Sequence, residues 1–128
     1  QKAKLFKVHT LESGVLYNDN GNFTNFKPFP YKLQLAPINS FLNLELGNEN
    51  YVIVGGNLES LTTYHGAYTS LKGYMFNNLD NIQDLSKLGV DIFSKEIKSL
   101  NKISTKTSDY LIVLAKNSPI KTYKINTD

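Results

Sequence analysis

Two apolar runs constrain this chain most: Tyr51-Val52-Ile53-Val54 and Tyr110-Leu111-Ile112-Val113-Leu114-Ala115. Neither alternates with polar residues, and both have strand length. Each ends at a turn signal, Gly55-Gly56-Asn57 in the first case and Asn117-Ser118-Pro119 in the second. A short run of this kind reads as a buried strand, the first a central one, and a buried strand needs neighbouring strands.

Those strands are legible around the two runs. Leu5-Phe6-Lys7-Val8 reads as a short strand, and residues 11–17 as a second. Asn18-Asp19-Asn20-Gly21-Asn22 is a turn in which Gly21 supplies a positive φ. Residues 23–29 alternate aromatic and polar positions, and Pro28 and Pro30 make them an edge or irregular strand. Lys32–Leu35 and Ile38–Leu46 read as strands, followed by a turn at Gly47–Asn50. Residues 58–70 read as a long loop, residues 70–76 as a strand, and residues 120–125 as the second arm of a terminal hairpin. Segment 79–103 departs from this. Leu79, Ile82, Leu85 and Leu88 recur every three residues, as do Ile97, Leu100 and Ile103. That spacing predicts two short helices, the first capped by Gly89 and the second started by Asp91. Tyr51–Asn57 and Tyr110–Asn117 share one cadence, which allows a loose repeat of β units.

Composition removes whole classes of chemistry. The 128 residues fit one domain, 1–128, with a formal net charge of +3. All 14 basic residues are lysine, and arginine makes the bidentate contacts that read guanine and grip phosphate, so no nucleic-acid partner is expected. Cysteine is absent, which excludes disulfides, thiolate metal sites and thiol nucleophiles. No apolar run approaches the ~18 residues that cross a bilayer as a helix. A chain opening on Gln1 is expected to have a mature or trimmed N-terminus. Fifteen asparagines signal many tight turns.

No catalytic constellation assembles. Nucleophile-elbow, zincin and phosphate-loop motifs are missing, so no enzyme and no cofactor are expected. Asp84 and Asp91 have nothing to fix their separation, and Asn22-Phe23-Thr24 matches a glycosylation sequon that arises easily in an Asn-rich chain. The most site-like cluster is Tyr64, His65 and Tyr68, with Tyr74 further on. Such a loop can stack on a sugar; the plainer reading is a packed aromatic loop with a surface imidazole. Two loops come near calcium spacing, Asp19-Asn20-Gly21-Asn22 with one carboxylate and residues 43–50 with two, too few to expect a bound metal.

The order of several short motifs resembles the C-terminal part of FG-GAP/VCBS-repeat β-propeller proteins of the Bacteroidota surface type. The residues that carry the likeness are Asn18-Asp19-Asn20-Gly21-Asn22-Phe23-Thr24, Leu33-Gln34-Leu35-Ala36-Pro37-Ile38, and Tyr51-Val52-Ile53-Val54-Gly55-Gly56-Asn57. Gly66-Ala67-Tyr68 and Leu111-Ile112-Val113-Leu114-Ala115-Lys116-Asn117-Ser118-Pro119 follow in family order. Ala67 and Thr69 stand where the family carries arginine and aspartate, and Asn43, Glu45, Asn48 and Asn50 where it carries the aspartates of a calcium loop, so the resemblance implies only a degenerate calcium-type loop there and no bound metal. The resemblance implies a strand at 95–103, against the helical periodicity, and leaves room for one short helix near 79–88.

The fold expected is all-β: a partial β-propeller of about two blades of antiparallel sheet, with a compact α+β domain as the alternative. A whole propeller needs at least about four blades, so the unit is expected to be a fragment or subunit of a larger assembly. The function expected is a non-enzymatic module on the extracellular or outer-membrane surface. Its partners would be other protein chains or the missing blades. The alternative is carbohydrate binding through the loop tyrosines.

Overall fold

The computed structural model describes residues 3–61, 64 and 66–126. It is all-β, with nine strands in three antiparallel sheets. A hairpin of β1 (Gly14–Asp19) and β2 (Asn22–Pro28) comes first. A four-stranded meander follows, made of β3 (Ile38–Leu46), β4 (Glu49–Gly56), β5 (Tyr74–Asn78) and β6 (Asn81–Asp84). A three-stranded sheet closes the chain: β7 (Ile97–Ser104), β8 (Asp109–Ala115) and β9 (Lys121–Ile125). The sheets stay open; none closes on itself.

The middle sheet is packed on both faces, which is why β4 carries an unbroken apolar run. Val52 and Val54 face a cluster with Phe29, Leu33, Leu71, Tyr74 and Phe76, on the side of the first hairpin. Ile53 faces the opposite cluster with Leu44, Met75, Phe93, Ile97, Leu111 and Val113, shared with the last sheet. Successive strand residues point to opposite faces, so one run feeds both cores. Gly55 and Gly56 continue the pattern without side chains. A Cβ on Gly55 would stand 2.9 Å from Ile97 Cγ2 and from Phe93 Cε1, and one on Gly56 only 1.9 Å from the Pro37 carbonyl oxygen. The two glycines let neighbouring layers close onto the end of β4.

The turns follow their residues. Asn20 and Gly21 both take positive φ, at 50° and 91°, the pattern of a tight two-residue hairpin. Gln34 fastens the base of that hairpin: its side chain accepts from Ser13 N–H and donates to the Phe29 carbonyl.

Several sequence expectations are corrected. Residues 5–8 form no strand; Leu5, Phe6 and Val8 are exposed in an extended arm, and pairing begins only at Gly14. Tyr31–Leu33 is a 3-10 turn that drives Leu33 into the core rather than a strand. The strand expected at 70–76 begins at Tyr74. No α-helix stands at 79–88: Asn81–Asp84 is β6, and Leu85–Leu88 is a single 3-10 turn with Asp84 capping its start and Gly89 left-handed at its end. Asp91 precedes only a short 3-10 turn, Ile92–Ser94. Residues 97–104 are a strand, as the resemblance implied. Their three-residue period has a local cause. A register shift between Ile97 and Ser99 adds one residue, so Ile97 and Leu100 face the same core.

That irregularity recurs. Ile97 follows Ile38 by 59 positions, and the same spacing relates Ser99 to Ser40, Tyr110 to Tyr51, Ile112 to Ile53 and Val113 to Val54. Both hairpins shift register at the matching place, between Ile38 and Ser40 in one and between Ile97 and Ser99 in the other. A matching backbone bond closes each: Asn57 N–H to the Pro37 carbonyl and Lys116 N–H to the Glu96 carbonyl, both at 2.9 Å. The turn pairs Asp19↔Asn22 and Asn78↔Asn81 also stand 59 positions apart. The β3–β6 meander thus shares turn and register features, at a spacing of 59 residues, with the β1–β2 turn before it and the β7–β8 hairpin after it.

Alanine at Gly55 should cost about 1–3 kcal/mol, because the Ile97 and Phe93 side chains can shift. Alanine at Gly56 should cost more, because the obstacle is backbone; urea unfolding midpoints of the two variants will rank them.

Candidate functional site

The sequence-predicted tyrosines do not gather. Tyr64 stands in the 57–73 loop with 94% of its surface exposed. Tyr68 pairs through its backbone with Leu58 and lines a different depression, beside Ser13, Gln34 and Pro37. Tyr74 is buried in the core toward the first hairpin and reaches the floor of a cleft of about 300 Å³ lined by Lys32, Asp84 and Lys87. His65 lies outside the described residues. In the cleft, burial pushes the Tyr74 phenol above its usual value, and the neighbouring Asp84 carboxylate adds to the effect. Burial alone would raise Asp84 as well. The Ser86 hydroxyl and N–H, with Lys72 and Lys87, outweigh it and hold the carboxyl below the usual range. Asp84 is thereby committed to capping the 3-10 turn.

The calcium-type residues are drawn out along a hairpin. Asn43 and Glu45 lie on β3, Asn50 lies opposite Glu45 on β4, and Asn48 sits in the turn; all four are exposed. Strand geometry spreads these groups along the hairpin instead of turning them toward one centre. Among the described residues, no group of three or more His, Asp or Glu side chains could hold a metal.

The polar centre of the molecule is Asn57, which sequence reasoning placed only in a turn motif. It is wholly buried, with φ at 77°. Its amide nitrogen donates to the carbonyls of Leu71 at 3.0 Å, Phe93 at 2.9 Å and Lys95 at 3.2 Å. Its amide oxygen accepts the Leu71 N–H at 2.9 Å. Asn39 spans the same seam, donating to the Asn57 carbonyl at 2.7 Å. One amide therefore ties the end of β4, the long loop and the entry to β7 together. Its only sequence signal was an Asn directly after two glycines at a strand end.

Beside it lies Glu96, also missed in the sequence and only 2% exposed. Its carboxylate accepts from Lys98 Nζ and, at 2.9 Å, from Glu59 N–H, with Lys116 Nζ 3.8 Å away. The Lys98 contact foremost, then the Glu59 N–H, hold its pKa below the usual carboxylate value. These are anchoring interactions between segments.

Apolar side chains also point away from the cores on the first hairpin and on the last sheet, where Ile103 is exposed and Tyr110, Ile112 and Leu114 are half-buried. On the first hairpin, Val15 packs inward, and the opposed pair Leu16 and Phe26 points away, 52% and 40% exposed. On the last sheet, Leu111, Val113 and Ala115 pack inward. By alternation Tyr110, Ile112 and Leu114 face outward, with Ile103 opposite Tyr110.

No protein-family profile, curated protein or solved structure matches the chain. No described helix is long and apolar enough to cross a membrane.

Two measurements test this centre. Asn57→Gly keeps the left-handed backbone but strands one N–H and two further carbonyls; at about 1–3 kcal/mol for each orphaned buried group, at least ~3 kcal/mol should be lost in chemical unfolding. Glu96→Gln should change the acid limb. A carboxyl whose folded pKa is depressed stabilises fully above its unfolded value, near 4.5, and loses that contribution as pH falls through the folded value. The stability gap between wild type and Glu96→Gln should therefore be widest near neutral pH and shrink in acid. A constant gap would show that the charge is not what stabilises.

Proposed function

We propose that this chain is part of a repeat-built β-propeller on the extracellular or outer-membrane surface, where its sheets act as blades and its work is protein–protein binding rather than catalysis. The observation that carries this reading is the 59-residue repeat, seen in matching register shifts and closing hydrogen bonds. Three further features support it. The middle unit is a four-stranded meander, the strand order of a blade. The first strands of consecutive units, β3 and β7, lie side by side, and Leu100 N–H donates to Ser40 Oγ across them. The order of motifs resembles the FG-GAP/VCBS type over roughly residues 15–125. Each unit buries its apolar faces only against neighbours, as stacked repeats do.

A second reading, glycan binding by the 57–73 loop, is favoured by Tyr64 and Tyr68, both exposed on that loop. Glycan-array binding that disappears with Tyr64→Ala and Tyr68→Ala would support it; an array without signal removes it.

The repeat reading has a direct test. Residues 38–96 span one full period. A variant that carries this segment twice in tandem should fold cooperatively and resist urea at least as well as the parent. Duplication of a window of equal length displaced by half a period should fail to fold. If both variants behave alike, 38–96 is not a unit and the reading falls.

A further inference from the structure

The cleft above Tyr74 stands apart from the seam at Asn57. Tyr74 is only 6% exposed and lies on β5 directly opposite Asp84 of β6. Its hydroxyl makes no hydrogen bond to a described residue. Among those residues, no fully enclosed side-chain nitrogen or oxygen lacks a partner. The Tyr74 hydroxyl is therefore not enclosed, and it opens into the cleft whose wall the ring forms. Packing does not require that hydroxyl. Phe76, on the same face of β5 and in the same cluster, fills its place without one.

The groups around the hydroxyl point to one class of ligand. Lys32 and Lys87 line the cleft, and neither forms a salt bridge with a described residue. Asp84 is the one acid of the lining, and its Oδ1 already accepts the Ser86 N–H at 2.9 Å and the Ser86 hydroxyl at 2.6 Å. Lys72 adds a third ammonium group near that carboxylate. What remains free is a phenol O–H and an excess of positive charge. Such a set suits an acceptor that carries negative charge. The chain holds no arginine, so no planar fork is present to grip phosphate at two points. Ile82 and Leu88 complete the wall with apolar surface. We propose that this cleft, of about 300 Å³, binds a small organic carboxylate: the Tyr74 hydroxyl donates to a carboxylate oxygen, Lys32 and Lys87 supply the counter-charge, and Ile82 and Leu88 receive a short apolar body. The site depends on neither the repeat reading nor the 57–73 loop.

Nuclear magnetic resonance titration of the isotope-labelled 128-residue chain tests this. Butyrate should move the backbone amides of Ser86, Lys87 and Leu88 to saturation. Butyramide, of the same shape without the charge, should leave them in place. Acetate should bind several-fold more weakly than butyrate, because it lacks the apolar body. Tyr74→Phe should weaken butyrate about tenfold, the worth of one hydrogen bond to a charged group. The same variant should resist urea as well as the parent, since the lost hydroxyl had no protein partner. Lys87→Gln should weaken butyrate several-fold, and it serves in place of Tyr74→Phe if circular dichroism shows that variant unfolded. Butyrate shifts that never saturate overturn the proposal. So does butyramide binding as tightly as butyrate, and so does Tyr74→Phe binding at full strength. Inorganic phosphate that binds more tightly than butyrate overturns the carboxylate assignment.

Discussion

The rest of the structure depends on one buried carboxamide. Asn57 shares its two amide N–H among three carbonyls and accepts one N–H, from segments up to 38 positions away in sequence. Buried backbone groups without partners are costly, and the loops that join separate sheets have no ladder to supply partners. A side chain that both donates and accepts resolves this in one place. It also has to sit at a left-handed residue, which asparagine tolerates better than most. Around it Gly55 and Gly56 thin the end of β4 until the flanking layers meet it, and Glu96 ties the loop after it to the base of β7.

The three-layer stack follows from that joint. The middle sheet sends alternate side chains to two cores: the last sheet covers one face, and Phe29, Leu33 and Leu71, outside the strands, cover the other together with Val15 of β1. Leu16, Phe26 and Ile103 are left exposed on the faces away from these cores.

Much of the fold was readable from the sequence where local chemistry decides the outcome. The apolar runs at 51–54 and 110–115 lie inside β4 and β8, and residues 38–46 form β3 as read. The Asn20-Gly21 turn has its expected backbone. Errors arose where tertiary contact decides. Leu5-Phe6-Lys7-Val8 has a strand's pattern but no partner strand, and a strand is defined by its partner. Ile97 and Leu100 mimic a helical spacing because an irregular register offsets the alternation, while Ile103 falls on the opposite face. The candidate site was harder still. Tyr64, Tyr68 and Tyr74 are near in sequence yet reach different surroundings, whereas Asn57 and Glu96 are 39 positions apart and lie at one seam. Nothing local in either residue announces that meeting.

The Leu71 N–H has a separate consequence. It belongs to a loop, outside every strand ladder, yet its bond to the Asn57 side chain is fully buried. Loop amides ordinarily exchange their protons with solvent quickly, while protected ones wait for an opening event. This proton can leave only when the seam around Asn57 parts. A single loop amide therefore acts as a clock for the separation of the middle and last sheets, distinct from the fraying of either sheet's own edge.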